Sequence, residues 1–343
     1  MTIVNFSIEY DSINSRNIFT NGDTINGRII VELSKDTTIQ SLSFVGKGSA
    51  VVCWTEDVNH SQFVSHIVCH YWSGEKYYDI KQHILRDGNE TFPKGRHVFP
   101  FTFKVPDRKM PSSFKSSTNR IVHEVKAELK QPMKLTKEAK AHFTFVSKAD
   151  LDIHGLMEPQ HNFTDRSLST CGVGRISMDV YTSQVGYQQG EDLQVQVEIH
   201  NQSSRTLKPK FVLYEKQSFS AQGHRRLYKN EILKEKGDLV EAHSNKTVMN
   251  IITIPRELPT SILNSAIIKL EYRLKIVLGI KFGINPKIKL PIVVLPALEV
   301  SDGEQPPGPA AAFQPTTLEP NTGQLPNHCT SLHHMNDTRC IPP

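Results

Sequence analysis

Tyr187-Gln-Gln-Gly190-Glu191-Asp-Leu193-Gln-Val195-Gln-Val197-Glu-Ile199 runs from an aromatic residue through a glycine–acid turn into strictly alternating apolar and polar side chains. A period of two sends successive side chains to opposite faces. Leu193 to Ile199 therefore reads as a strand with one face in a core and one in water. The same signature stands 168 residues earlier, in Phe19-Thr-Asn-Gly22-Asp23-Thr-Ile25-Asn-Gly27-Arg-Ile29-Ile-Val31. In each copy a polar turn follows (Ser34–Thr38, Asn201–Arg205) and then a further apolar strand (Ile39–Val45, Leu207–Tyr214). A repeat at one domain length means two copies of one fold, not a solenoid.

Alternation also marks Phe99 to Val105, Ile121 to Leu129 and Ile268 to Ile276, with glycine, proline, asparagine and aspartate between the runs. No long amphipathic helix stands out. The pattern predicts an all-β chain of two tandem antiparallel β-sandwich domains. Alternation lapses after Phe143-Thr-Phe145-Val146 and resumes at Ile176-Ser-Met178-Asp-Val180. The expected division is a sandwich over 1–148, a linker over 149–168 and a second sandwich over 169–296. A disordered tail rich in proline, glycine, alanine, threonine and asparagine is expected over 297–343.

With 343 residues, each half is long enough to bury a core without metal or disulfide staples. Forty Lys and Arg against 35 Asp and Glu give a net charge of +5, too small to argue for nucleic acid. Five scattered cysteines do not form the dense, even framework of a secreted disulfide scaffold. Met1-Thr-Ile-Val-Asn-Phe6 has none of the parts of a secretory leader, and no apolar stretch is long enough for a membrane helix, so a cytosolic chain is expected.

Several motifs resemble those of the α-arrestins, the arrestin domain-containing family, whose two domains are immunoglobulin-like sandwiches. They are Phe19-x-x-Gly22-Asp23-x-Ile25-x-Gly27-x-Ile29 and Gly46-Lys47-Gly48-Ser49-Ala50-x-Val52-x-Trp54-Thr55-Glu56. Gly95-Arg96-His97-x-Phe99-x-Phe101-x-Phe103-x-x-Pro106 continues to Ser113-Phe114 and Val125-Lys-Ala-Glu-Leu129. In the second half the matches are Gly186-Tyr187-x-x-Gly190-Glu191, Ser203-Ser204-Arg205 and Ser261-Ile262-Leu263 leading to Leu270-Glu271-Tyr272.

The resemblance covers roughly residues 1–296. It implies a non-enzymatic adaptor that links receptors or transporters to endocytic sorting and ubiquitination, recruited peripherally to plasma membrane and endosomes. A retromer-subunit-like sorting protein on the same architecture is the alternative. Relatives recruit WW-domain ubiquitin ligases through Pro-Pro-x-Tyr motifs in the tail. Here the nearest approach is Pro306-Pro307-Gly308-Pro309, and no tyrosine lies beyond Tyr272 to fill the ligase pocket. Ser116 and Asn119 replace glycines usual after the Ser-Phe pair, and Asn119 is expected to supply the left-handed turn. His123 stands where tyrosine is usual and is expected to be a half-buried imidazole. Some relatives bind thioredoxin through a cysteine of the second sandwich, but none lies between Cys171 and Cys329.

Enzyme signatures are wanting: no Gly-x-Ser-x-Gly elbow occurs, and Gly46-Lys-Gly48 and Gly172-Val-Gly174 read as strand-edge glycines that open no helix. Cys53, His60, His66, Cys69 and His70 cluster in sequence without zinc-ligand spacing. Residues 49–56 and 63–72 instead predict a hairpin around Asp57–Gln62 that sets Cys53 across from Cys69. No cofactor or metal is expected. In the tail, His328, Cys329, His333, His334 and Cys340 have no fold to organise them, and Cys340-Ile-Pro-Pro343 is a poor prenylation signal.

The binding chemistry points to charge. Lys208, Lys210, Arg225, Arg226 and Lys229, with Arg205, Lys216, Lys234 and Lys236, face only Glu215, Glu231 and Glu235 as counter-charges. Such a group suits anionic lipid headgroups or a phosphorylated receptor tail. The competing reading is that alternation scatters the cations over both sheet faces to keep an exposed edge soluble. A similar excess lies between Lys104 and Lys140.

Overall fold

A strand with one wet and one apolar face must find a neighbour for its amides and a second sheet for its apolar side. The computed structural model describes residues 2–58, 67–86, 88–148, 153–168, 174–281 and 284–297. Among these, every named element is a strand.

The first sandwich contains β1 (Ile3–Tyr10), β2 (Ile18–Phe19), β3 (Thr24–Leu33), β4 (Thr37–Ile39), β5 (Ser41–Val58) and β6 (Ile67–Leu85). It continues with β7 (Glu90–Phe92), β8 (Gly95–Lys104), β9 (Phe114–Lys115), β10 (Arg120–Lys130) and β11 (Lys137–Phe145). One sheet is ordered β1-β3-β8, the other β2-β11-β10-β5-β6. Between them lie Phe19, Ile29, Phe44, Phe103, Val125 and Phe145. Gly46 and Gly48 are inside β5 and not at its edge. An added Cβ would stand 2.4 Å from the Phe103 ring or 2.3 Å from the Tyr78 ring, so these glycines make room for core aromatics.

The second sandwich contains β12 (Gln160–Leu168), β13 (Gly174–Thr182), β14 (Gly186–Gln188), β15 (Asp192–Asn201) and β16 (Leu207–Ala221). It closes with β17 (His224–Lys236), β18 (Ser244–Thr253), β19 (Ile268–Ile280) and β20 (Lys287–Leu295). Its sheets are ordered β12-β13-β15-β18 and β14-β20-β19-β16-β17. Val180, Val197, Phe211, Leu213, Leu274 and Leu290 fill the space between. β12 falls inside the stretch expected as linker. Its Asn-Phe-Thr-Asp-Arg core has polar residues in both phases, which hides an edge strand from a hydrophobic-period reading.

The sequence repeat is a structural repeat. Phe19 in β2 pairs in parallel with Phe145, and Tyr187 in β14 pairs in parallel with Val294. After each, a glycine in the left-handed region, Gly22 at φ 82° and Gly190 at φ 88°, turns the chain. The acid that follows accepts from the backbone three residues back, Thr20 N–H to Asp23 at 2.7 Å and Gln188 N–H to Glu191 at 2.7 Å. Serines latch the same strands: Ser113 Oγ accepts from Phe145 N–H at 3.0 Å, and Ser261 Oγ from Val294 N–H at 2.9 Å.

Two local expectations need correction. The β5–β6 register sets Cys53 opposite Trp72 and Cys69 opposite Glu56, three residues away from the expected pairing. Side chains alternate, so Cys53 and Cys69 point to opposite faces of the hairpin and cannot be bridged. Asn119 is not among the left-handed residues. It is buried, and its Oδ1 accepts from Cys53 N–H at 2.9 Å, so the side chain and not the backbone explains its place.

The two sandwiches share apolar packing. Ala50, Val52, Trp54, Phe114 and Ile121 of the first are continuous with the core of the second. Trp54 stacks on Tyr71 at 5.2 Å, and Tyr71 meets His224 at 4.5 Å. Polar contacts fasten the seam: Glu75 accepts from Ser265 Oγ at 2.8 Å and Ala266 N–H at 3.1 Å, and Asn264 donates to Met110 O at 3.1 Å.

Candidate interaction surfaces

On β16 the odd positions from Leu207 to Ala221 face the core, so the even positions face out. Lys208, Lys210 and Lys216 therefore share one outer face. On β17, Arg225 and Lys229 oppose Ser220 and Lys216, while Lys234 and Lys236 oppose Val212 and Lys210. Residues 229 and 234 differ in parity, yet they share a face because the register shifts between Leu213 and Tyr214 and leaves Ile232 as the extra residue. A bulge reverses the phase of everything beyond it. The same bulge sends Glu235 across from Phe211, on the inner side, where it accepts from Asn250 at 2.8 Å.

β19 and β20 extend this face with Lys269, Arg273 and Lys275 and with Lys287 and Lys289. In all, twelve lysines and arginines accompany two carboxylates, Glu231 and Glu271. Glu271 engages Lys216 at 2.7 Å and Arg273 at 3.2 Å, and Glu231 engages Lys234 at 3.1 Å. Lys216 and Arg273 beside it hold the Glu271 carboxyl below its usual range against the upward pull of partial burial. Lys275 lies over the Tyr214 ring at 5.6 Å. Lys208, Lys210, Lys229, Lys236, Lys269, Lys287 and Lys289 have no acidic partner among the described residues.

Of the five residues singled out in the sequence, four converge: Lys208, Lys210, Arg225 and Lys229. Arg226 does not. It points to the opposite side, donates to Thr55 O of the first sandwich at 3.0 Å and sits 5.2 Å over the Tyr228 ring. Pro306, Pro307 and Pro309 lie outside the described residues, as do His60 and His66. Along the chain the contributions of β19 and β20 are hidden because Lys269, the nearest, stands 53 residues beyond Lys216 (269 − 216). Their signal was the alternation Lys269, Glu271, Arg273, Lys275 itself.

A groove of about 810 Å³ marks the outer face of β5, β10 and β11. Val51 and Val122 line it together with Lys47, Lys115, Arg120 and Lys140. Lys140 reaches Glu138 at 3.1 Å, and His142 reaches Glu124 at 3.3 Å. Among the described residues no three His, Cys, Asp or Glu side chains converge as metal ligands would.

His123 is fully buried and not half-buried, at 1% exposure. The Pro111 carbonyl, 3.2 Å from Nε2, can only accept, so Nε2 carries the proton and Nδ1 accepts from Tyr78 O–H at 3.2 Å. Burial lowers its pKa to about 4. The same burial pushes the Tyr78 hydroxyl well above its usual range.

Known families agree with this architecture. Residues 6–152 match the model of the arrestin (or S-antigen) N-terminal domain, and residues 173–297 that of the arrestin (or S-antigen) C-terminal domain. The chain is 24% identical over 284 residues to human arrestin domain-containing protein 4, covering 80% of this chain and 68% of that protein. It is 23% identical over 282 residues to mouse thioredoxin-interacting protein, covering 81% and 70%. Two arrestin domains in order, each with its glycine–acid turn and serine latch in place, make this chain a member of the arrestin family, in its arrestin domain-containing branch.

Proposed function

We propose that this chain is a non-catalytic adaptor in intracellular protein transport, linking cytosolic segments of membrane receptors or transporters to endosomal sorting. It docks on plasma membrane and endosomes through the outer face of β16, β17, β19 and β20, with anionic headgroups as counter-charges. The observation that carries this reading is the imbalance of twelve cations against two carboxylates on one sheet face. A cation near an anionic bilayer contributes about 1 kcal/mol, so a handful acting together reach useful affinity without a deep pocket. The groove beside Lys47 and Arg120 fits an extended acidic segment of cargo, because side chains enter a concave surface and a bilayer does not. Ubiquitination is linked through a partner that brings the ligase to the bound cargo.

Proximity labelling of the full chain in cells tests this reading. The expected set contains receptors, transporters and sorting proteins, and it shrinks when Lys210, Lys234 and Lys275 are changed to glutamate. A set without membrane cargo, or one dominated by stable coat subunits, contradicts it.

A further inference from the structure

The sheet edges of this molecule are guarded unequally. An exposed edge offers unpaired N–H and C=O groups to any other strand, and proteins blunt it with charge, proline or bulges. β17 carries Arg225, Arg226, Lys229, Lys234 and Lys236, and β12 carries Asp165 and Arg166. β8 has Pro100, and β6 is interrupted by two register shifts against β5. β18 has none of these from Thr247 to Ile254, the sequence Thr-Val-Met-Asn-Ile-Ile-Thr-Ile. That stretch is uncharged and free of proline and glycine. The one charge of β18, Lys246, precedes it and pairs with Asp238 at 3.2 Å, and β18 pairs with β15 without a register shift. Among the described residues no strand pairs with its other side.

The side chains on its outer face are apolar as well: Met249 is 60% exposed and Ile251 is 56% exposed. Ile254 N–H donates toward β15, to Glu191 O at 2.9 Å. Backbone direction alternates along an antiparallel strand, so the N–H and C=O groups of Thr247, Met249, Ile251 and Thr253 point out of the edge.

We propose that β18 is a homodimerisation edge, pairing antiparallel with β18 of a second copy about a twofold axis through Asn250. This register sets Met249 against the partner's Ile251 and Thr247 against the partner's Thr253. Every one of those residues presents free backbone groups, so the ladder closes without breaking the pairing to β15. Apolar and Thr–Thr cross-strand pairs are favourable, and no like charges meet. The second copy is the occupant because an uncharged edge selects an uncharged segment, and residues 247–254 are one whose own pairing satisfies both sides at once. The result is an isologous contact that joins two four-stranded sheets into one.

Analytical ultracentrifugation of the full chain over a micromolar concentration series tests the proposal. A monomer–dimer equilibrium is expected. Ile251→Lys, which puts two lysines against apolar partners, weakens it by about tenfold. Phe163→Lys, on β12 at the opposite edge of the same sheet, leaves it unchanged, and circular dichroism confirms that both variants keep their strands. In a second test, Asn250→Cys forms a disulfide-linked dimer on mild oxidation, since non-hydrogen-bonded antiparallel partners lie about 4.5 Å apart at Cα. A chain that stays monomeric throughout, or a dimer indifferent to Ile251→Lys and uncrosslinked by Asn250→Cys, overturns it.

Discussion

His123 and Tyr272 occupy corresponding corners of the two sandwiches. His123 Nε2–H donates to Pro111 O at 3.2 Å, and Tyr272 O–H donates to Pro259 O at 2.7 Å. Each proline begins a segment, Pro111-Ser-Ser113-Phe114 or Pro259-Thr-Ser261-Ile262, whose serine latches the adjoining strand. Both rings are buried, yet one is a base and the other a very weak acid whose burial keeps it neutral. The comparison separates what the two corners share from what sets them apart. Both corners keep a buried donor to that proline carbonyl while its chemistry differs, and of the two corners only that of His123 carries a group that takes up a proton in acid.

The surest way to break the equivalence is to remove the aromatic ahead of each glycine–acid turn. Phe19 and Tyr187 are buried at 0% and 1% exposure. Phe19→Ala and Tyr187→Ala are each expected to cost about 3–5 kcal/mol in urea titrations, and a loss at one site alone breaks the repeat. Acid should then distinguish the corners. The folded pKa of His123, about 4, lies below the value near 6.5 of an unfolded histidine, so the unfolded chain takes up the proton first. Its contribution is complete above about pH 6.5 and falls as pH drops toward 4, by up to about 3 kcal/mol. His123→Tyr, which places the second sandwich's donor in the first, should flatten that pH dependence of urea midpoints.

Smaller effects sharpen the picture further. Ser113→Ala and Ser261→Ala each strand a backbone N–H and should cost about 1–3 kcal/mol, nearly equal between domains. Tyr272→Phe leaves the Pro259 carbonyl unpaired at a similar cost, with no added pH dependence between 4 and 7. Arg226→Gln loses an exposed contact across the seam and should change urea midpoints least, by less than about 1 kcal/mol.

Much of this was legible in the residues. Strict alternation gave the strands, and the Phe19 and Tyr187 signatures gave the duplication, because buried apolar side chains and left-handed glycines leave local traces. What escaped depended on distant partners. β12 is polar in both phases, so only its pairing with β13 marks it as a strand. The β5–β6 register sets Cys53 against Trp72, and alternation is blind to a shift between opposed residues. The cationic face needed the Ile232 bulge to bring Lys229 and Lys234 into phase, and needed β19 and β20 to lie beside β16. Counting charges along the chain placed Arg226 and Glu235 with that face, whereas pairing places them opposite it.

The central claim is that this outer face, and no other cationic surface, meets the membrane. Sedimentation of the full chain with phosphatidylserine-containing vesicles tests it most directly. Binding should require the anionic lipid and weaken with salt. It should vanish when Lys210, Lys234 and Lys275 are changed to glutamate and survive the same change at Lys47, Lys115 and Lys140. Equal binding to neutral vesicles, or loss from the groove variant and not from the face variant, would contradict the account.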